Sequence, residues 1–270
     1  MNDDKAVVRE IREFSADGNC IKEIHYNKES GKVHEVVEFV YEQGALKKGL
    51  QTYYYDSGAV SSVDEDEYEC GKIKRSKVTQ YGESGNVTSI TEYDDFDGLL
   101  ENAPYRVPNR TKETYYDDSG NVSEMHILEV ECREDVDIYN STWYDGEGKV
   151  TSIEISDHDK KSMEAKRSKL RSFDDSGNVT EIKLYECEYE LDGRTTKREI
   201  FTTCDGLGNV TCICEEKYER GILNSTKETA YNGSGDVTSI CESEFDEDGN
   251  LRKKTEYNSS GVKLREKLYW

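Results

Sequence analysis

Cysteine provides the first residues whose spacing suggests chemistry, because Cys212 and Cys214 lie two apart and Cys204 lies shortly before them. Residues two apart on a strand face the same side, so these thiols could approach one metal ion. Structural zinc sites, however, are built from cysteine pairs separated by two residues, with further Cys or His ligands. The chain has no such pair, and its four histidines all precede this segment. We therefore predict no metal site and interpret the eight cysteines as free thiols.

Two acidic turns, Asp95–Gly98 and Asp246–Gly249, contain carboxylates of the kind that bind calcium. An EF-hand loop needs a longer run of ligands that ends in a distal Glu, and neither turn has one. Asp is also favoured in tight turns because its side chain hydrogen-bonds the local backbone. We assign these acids to turn formation and predict that the protein takes no cofactor.

The sequence contains no recognisable catalytic motif. No Ser, Cys or His lies in a known nucleophile motif, no glycine-rich loop precedes a helix, and the acids are too numerous for one pair to stand out. Repeated columns of equivalent residues suit a scaffold, whereas an active site needs one place that differs. We predict that the protein is not an enzyme.

Glycines recur along the chain and mark the elements of the fold. A first set lies in turns of the Ser-Gly-x-Val type with a period of about 27, and comprises Gly31, Gly58, Gly85, Gly120, Gly148, Gly177, Gly208, Gly235 and Gly261. A second, weaker set halves this period and comprises Gly18, Gly44, Gly71, Gly98, Gly193, Gly221 and Gly249. Tight hairpin turns need a positive φ, which Gly adopts without strain. Each half-repeat therefore predicts one strand and one turn.

Three columns accompany the first-set glycines: an aromatic residue four positions before, a Val two after and an aliphatic residue five after. Tyr116, Val122 and Met125 show the pattern around Gly120. Enrichment in aromatic and β-branched residues between Gly turns is typical of strands. On a regular strand, positions two and five after the Gly would face opposite sides. Either both faces are partly apolar, or a β-bulge after the Gly changes the register.

These columns predict an all-β fold, a single repetitive antiparallel β-meander of about 18 strands in which residues 1–270 form one hairpin array. Because open sheets beyond ~10 strands curl or split, we expect it to be curled or twisted into an open ribbon or solenoid-like sheet. The low content of Leu, Ile, Val and Phe predicts a thin core. One interval of 35 residues between first-set glycines predicts a loop insertion near residues 99–110.

The formal net charge of −22 constrains the partners. Coulomb repulsion opposes binding to nucleic acids and to anionic membranes, and favours a protein with a basic surface. No stretch approaches the ~18 apolar residues of a membrane span. The segment Met1–Lys5 lacks the features of a signal peptide. We expect a cytoplasmic protein whose partner is another protein, with no direct nucleic-acid binding and no membrane association.

Two departures from the repeat supply candidate partner-binding residues. The loop insertion contributes Pro104, Tyr105, Arg106, Pro108 and Arg110. A basic stretch that lacks the expected Gly contributes Lys160, Lys161, Lys166 and Arg167. Long loops on regular scaffolds often carry binding residues, and the basic stretch reverses the sign of an acidic chain. A tolerated insertion and an ordinary solvated strand explain the same residues, and the sequence leaves these alternatives open.

Short motifs in the chain resemble two known repeats. Tyr116–Ser123, Phe173–Thr180 and Tyr231–Thr238 resemble the YD repeat of Rhs and teneurin shells. Tyr41–Gly44 and Tyr218–Gly221 resemble the MORN-type repeats of a bacterial antitoxin family. The resemblance covers nearly the whole chain and implies a β-ribbon. Because the array is far shorter than an Rhs shell, it implies a free-standing repeat protein that binds another protein.

The leading hypothesis is a bacterial or phage protein that occludes a basic effector, as an immunity protein or inhibitor. A high net charge on an extended surface speeds encounter with a cationic partner. A second hypothesis, based on the acidic turns spaced along a ribbon, is a nucleic-acid mimic that inhibits a nuclease or defence complex. A third is a structural or surface repeat array.

Overall fold

A computed structural model describes residues 9–94, 108–133, 136–159, 165–190 and 195–269. The predicted all-β fold is confirmed: 19 antiparallel strands form one open sheet. The described residues contain no helix, and so none with the length and apolar character that crossing a membrane requires. The chain divides into two compact units, Met1–Glu129 with Asp145–Gly148 and Val130–Tyr144 with Lys149–Trp270.

Nine strands build the first unit, and the last of them continues past Glu129. They are β1 (Glu10–Phe14), β2 (Cys20–Tyr26), β3 (Val33–Glu42), β4 (Ala45–Tyr54), β5 (Val60–Glu69), β6 (Lys72–Tyr81), β7 (Val87–Asp94), β8 (Arg110–Tyr116) and β9 (Val122–Cys132). Each strand pairs antiparallel with the next one in the chain. The unit is thus a simple meander of hairpins.

Ten strands follow the same scheme in the second unit. They are β10 (Val136–Asp145), β11 (Val150–Asp159), β12 (Ala165–Phe173), β13 (Val179–Tyr189), β14 (Thr196–Asp205), β15 (Val210–Glu219), β16 (Ile222–Tyr231), β17 (Val237–Phe245), β18 (Leu251–Asn258) and β19 (Lys263–Leu268). Consecutive strands again pair antiparallel.

The turn before β9 shows how an acid and a glycine close a hairpin. The Gly120 N–H donates to the Asp117 carbonyl at 2.9 Å, and Gly120 has a φ of 81°. The Asp117 carboxylate accepts from the N–H groups of Ser119 and Asn121, both at 2.9 Å. Equivalent side chains make the same pair of contacts at Asp174, Asp205, Asn232, Asp246 and Asn258. The predicted capping role of the turn acids is therefore confirmed.

Second-set glycines form a tighter kind of turn. Gln43 and Gly44, which join β3 to β4, have φ values of 52° and 79°. Cys70 with Gly71 and Arg220 with Gly221 repeat this geometry. Two successive residues with positive φ are the mark of the type I′ hairpin, whose twist matches that of the flanking strands.

A β-bulge after the turn decides which side chains share a face. Tyr116 lies opposite Val122, whereas Tyr115 lies opposite Glu124, so one residue of β9 is extra. The bulge places Val122 and Met125 on the same face and Glu124 on the other. The same shift occurs in the other hairpins closed by first-set glycines. Of the two alternatives left open by the sequence, the bulge is therefore the one that the structure contains.

We name the two faces of each unit by what they carry. The valine face holds the Val and aliphatic columns, such as Val60 and Val63 in the first unit and Val179 and Ile182 in the second. The carboxylate face is the opposite one.

Burial is shallow on both faces, as the composition predicts. The most buried described residues are mostly small and polar: Thr79, Ser89, Thr114, Asp137, Cys187, Ser156, Cys204 and Thr255. None of the large described side chains is fully buried. Cross-strand pairs of ~0.2–1 kcal/mol each therefore contribute much of the stability of this sheet.

Candidate protein-binding face

The valine face of the first unit carries alternating charges. Glu65, Lys77, Glu92 and Lys112 lie in register across β5, β6, β7 and β8. Lys77 Nζ lies 3.7 Å from Glu65 Oε2, and Lys112 Nζ lies 3.1 Å from Glu92 Oε2. Exposed pairs of this kind contribute only ~0–1 kcal/mol each. Their main effect is that positive and negative charges nearly cancel on this face.

The predicted candidate Arg110 belongs to the neighbouring row of the same face. It lies opposite Asp94 on β7 and Glu129 on β9, and its Nε is 3.4 Å from Glu129 Oε1. Arg75 pairs with Asp94 in the same row, at 3.1 Å. Arg110 thus has a structural role in a charge ladder.

The carboxylate face of the first unit has a different composition. From β3 to β9 its acidic ladder positions are Glu35, Asp64, Asp66, Glu113 and Glu124. No Lys or Arg occupies a ladder position on this face of these described strands. Four tyrosines share the face with the acids: Tyr53, Tyr68, Tyr93 and Tyr115. The excess negative charge of the strands is therefore concentrated on one side.

Asp64 lies at the centre of this face, between Gln51 on β4 and Val78 on β6. Its Oδ1 is buried and has no hydrogen-bond partner among the described residues. Burial, with a further contribution from the Asp66 carboxylate, raises the pKa of Asp64. Asp64 is therefore a carboxylate whose charge the sheet does not compensate.

Tyrosines surround this carboxylate. The Tyr68 hydroxyl lies 3.4 Å from Asp66 Oδ2, and its ring covers Gly49, where an added Cβ would meet the ring at 3.5 Å. Burial raises the pKa of Tyr53 and Tyr93, and the Asp64 charge raises both further. The three phenols thus stay protonated and add hydroxyl and ring surface beside the acid.

The second unit shows the same segregation of charge. On its valine face Arg198 pairs with Glu215 at 2.7 Å and with Glu188 at 3.5 Å. On its carboxylate face, from β10 to β17, the acidic ladder positions are Asp137, Glu154, Glu181, Glu199, Glu216 and Glu228. Lys183 is the only basic ladder residue on that face of these described strands, and it pairs with Glu181 at 3.0 Å.

Two carboxylates face each other on the second unit, because Glu199 lies opposite Glu216. The Tyr218 hydroxyl is 2.7 Å from an oxygen of each, and with one proton it donates to one of them at a time. Tyr185 donates to the other oxygen of Glu199 at 2.8 Å. Burial and these hydrogen bonds raise the pKa of Tyr218 far above its ordinary value. Paired like charges are unfavourable, so this cluster also lacks a cation.

The basic stretch around β12 lies on the valine face. Lys166 Nζ is 2.6 Å from Asp159 Oδ2. Arg167 lies opposite Asp157 on β11 and Glu186 on β13. Both line an open hollow of about 330 Å³, together with Asp157, Glu186, Cys187, Glu188, Arg198, Val136 and Ile200. Acids flank both residues, so these two candidates are also explained by charge ladders.

The remaining predicted residues are dispersed. Pro108 is half-buried and precedes β8. Pro104, Tyr105, Arg106, Lys160 and Lys161 lie outside the described residues. The structure thus does not bring the predicted set together in one site.

The thiols are free, as predicted. Cys214 and Cys241 both lie opposite Glu228, one on each side of β16, which keeps them two strands apart. Burial raises the pKa of Cys212 and Cys214, which makes them poor nucleophiles at neutral pH.

One group of described residues has ligand atoms close enough to hold a metal ion, namely Glu10, Glu23 and His25, within 4.8 Å of one another. Arg12 already contacts Glu10, and its Nε is 3.3 Å from Glu23 Oε1. A guanidinium therefore occupies the place where a cation would be attracted.

Comparison with known proteins supports a repeat protein. The profile of a MORN repeat variant matches residues 240–259, which include the turn between β17 and β18. This segment differs from the two turns whose sequence resembles MORN repeats. No curated protein sequence matches the chain significantly.

Several solved structures are similar over most of the chain. The crystal structure of TcdB2-TccC3-TEV is 12% identical, with 98% of this chain and 16% of that chain covered and a TM-score of 0.23. The Tc holotoxin pore of Photorhabdus luminescens is 12% identical, with 97% and 17% covered and a TM-score of 0.20. A porin-like protein from Bacteroides vulgatus is 9% identical, with 98% of both chains covered and a TM-score of 0.21. The chain thus spans about a sixth of the Tc chains, and scores this low carry no inference about function.

Proposed function

We propose that this chain is a non-enzymatic repeat protein that binds a basic protein and occludes it, as an immunity protein or inhibitor does. The observation that carries the proposal is the segregation of charge between the two faces of the sheet. The valine face balances its acids with Lys and Arg, whereas the carboxylate face of the first unit leaves Glu35, Asp64, Asp66, Glu113 and Glu124 without basic ladder neighbours. A partner with Lys and Arg side chains would supply the missing charges.

The carboxylate face is also large enough for a stable complex. The seven strands from β3 to β9, spaced ~4.8 Å apart, span roughly 30 Å, and strands of about ten residues also span roughly 30 Å. The resulting area of roughly 900 Å² is near the ~800 Å² that each partner contributes to a standard protein interface. Tyrosines on this face add contact surface that loses little entropy on binding.

The proposal includes no catalytic activity, no cofactor and a cytoplasmic place of action. It rests on the acid excess and on the scaffold-like repetition of the strands. Mimicry of a nucleic acid is the alternative form of the same function, and it predicts in addition that DNA or RNA competes for the partner.

Affinity capture followed by titration tests the proposal. The full chain is immobilised and exposed to an extract of its own host at low and at high salt. We expect a basic protein to be retained at low salt and released at high salt, and its activity to fall to zero at one equivalent of added chain. Retention of no basic protein, or residual activity at saturation, would contradict the proposal.

A further inference from the structure

The centre of the carboxylate face in the first unit has the features of a socket for one side chain. Asp64 and Asp66 point the same way from β5, about 7 Å apart along the strand. Asp64 Oδ1 is buried without a hydrogen-bond partner among the described residues. A buried carboxylate oxygen of this kind is costly unless a donor reaches it.

Aromatic rings border the two acids. Tyr68 lies over Gly49 beside Asp66, and Tyr53 and Tyr93 lie within electrostatic reach of Asp64. The face is open at this point because Gly49, directly opposite Asp66, has no side chain. The opening therefore combines carboxylate oxygens, aromatic surface and a lack of any local cation in a ladder position.

We propose that this opening receives an arginine side chain of the basic partner, with the guanidinium bound by Asp64 and stacked against the neighbouring tyrosines. The inference rests on the proposed function and assigns its anchor point. The proposal concerns a protein partner with an exposed arginine, and not a free metal ion or a small amine.

Arginine fits this opening better than lysine for three reasons. Its guanidinium is planar and stacks on aromatic rings, it donates several hydrogen bonds in a fixed geometry, and it is more weakly hydrated than an ammonium group. Cation–π contact with Tyr adds to the Coulomb attraction. The missing donor at Asp64 Oδ1 would then be supplied by one N–H of the guanidinium.

Binding of labelled oligo-arginine and of oligo-lysine of equal length, followed by fluorescence anisotropy with the full chain, tests this inference. We expect oligo-arginine to bind more tightly. We also expect Asp64→Asn to weaken oligo-arginine binding by about tenfold, the effect of losing one charge-assisted hydrogen bond. Glu65→Gln is the matched control, because it removes the same charge from the adjacent residue on the valine face.

Equal losses in Asp64→Asn and Glu65→Gln, equal affinity for the two peptides, or no binding of oligo-arginine would overturn the inference. The failure of the inference is distinguishable from that of the proposed function. If Asp64→Asn captures the same basic partner with unchanged affinity, the anchor is wrong and the proposed function stands. If the unmodified chain captures no basic protein, the proposed function itself fails.

Discussion

Gly206 lies against the main chain of Val179, so that an added Cβ would overlap the Val179 carbonyl oxygen and lie 2.9 Å from its carbonyl carbon. The turn between β14 and β15 therefore nests on the start of β13. Neither atom can move aside without a shift of the backbone. This contact fixes how closely turns at the same edge of the second unit approach each other.

Gly206→Ala should destabilise the protein by roughly 1–3 kcal/mol, the usual effect of forcing extra volume into a packed site. Gly233→Ala is the matched control, because Gly233 also lies two residues before a first-set Gly, its φ is not positive and its Cβ direction is open. We expect that variant to be unchanged or stabilised by ~0.4–1 kcal/mol. Urea unfolding measures both, and equal midpoints would show that the turns are not nested.

The turn acids should make the protein sensitive to low pH. Hydrogen bonds from main-chain N–H groups lower the pKa of Asp117, Asp174, Asp205 and Asp246. A lowered pKa stabilises the fold above the unfolded value and loses that contribution as the pH falls, so the loss occurs below about pH 4.

Asn at these four positions should remove that part of the acid sensitivity. Asn232 and Asn258 already make the same main-chain contacts with an amide. We therefore expect the fourfold Asn variant to keep its unfolding temperature at neutral pH and to lose less of it in acid. The fourfold Ala variant should be less stable at every pH. A steeper acid loss in the Asn variant would contradict the assignment.

Tyr218 should contribute to a loss of stability in alkali. Its pKa is raised by burial and by its hydrogen bonds to Glu216 and Glu199, so the folded state holds the phenol proton after the unfolded state has released it. The stability that this provides is complete below about pH 10 and is lost as the pH rises further.

Tyr218→Phe should therefore flatten the alkaline limb of a plot of unfolding temperature against pH. At neutral pH it should cost about 1.5–3 kcal/mol, since a hydrogen bond to a charged group is lost. Tyr231→Phe is the control, because the Tyr231 hydroxyl makes no hydrogen bond with the described residues. Equal effects of the two substitutions would rule out a special role for the hydroxyl of Tyr218.

Asp64→Asn should raise the unfolding temperature at neutral pH. The pKa of Asp64 is raised by burial, so its charged form lowers stability as the pH rises through that pKa, and an amide avoids this cost. The gain should shrink in acid, where Asp64 is protonated. Glu65→Gln, on an exposed residue of the opposite face, should give no gain. A lower unfolding temperature in Asp64→Asn would show that the sheet compensates this charge after all.

Much of the fold follows from the sequence because its signals are local. Gly in turns, Asp in caps and the Val and Tyr columns each act within one hairpin, and all were interpreted correctly. The prediction of about 18 strands came from counting two strands per repeat. The structure has 19, because β1 precedes the first turn of the array and each later turn adds one more strand.

The binding face could not be predicted because it depends on the bulge. One extra residue after the turn moves every following side chain to the other face. Without the position of that residue, Asp64 and Glu65 cannot be assigned to their faces from the sequence. Once the bulge is known, the segregation of acids from ion pairs can be read from the strands alone. Arg110 and Arg167 stood out in the sequence as isolated cations, and the register shows that acids lie opposite both.

The central claim is that the carboxylate face, and not the net charge, binds a basic partner. Two triple variants with the same change in charge separate these explanations. Asp64→Asn, Asp66→Asn and Glu113→Gln neutralise the carboxylate face, and Glu65→Gln, Glu67→Gln and Glu92→Gln neutralise the valine face of β5 and β7 together with part of β8 and none of it.

The decisive measurement is the affinity of both variants for labelled oligo-arginine at about 0.15 M salt, where charges act over roughly 8 Å. Circular dichroism first establishes that both variants are folded. The account predicts a loss of at least about tenfold in the first variant and less than about twofold in the second. Equal losses in the two variants would contradict it and would leave net charge as the explanation.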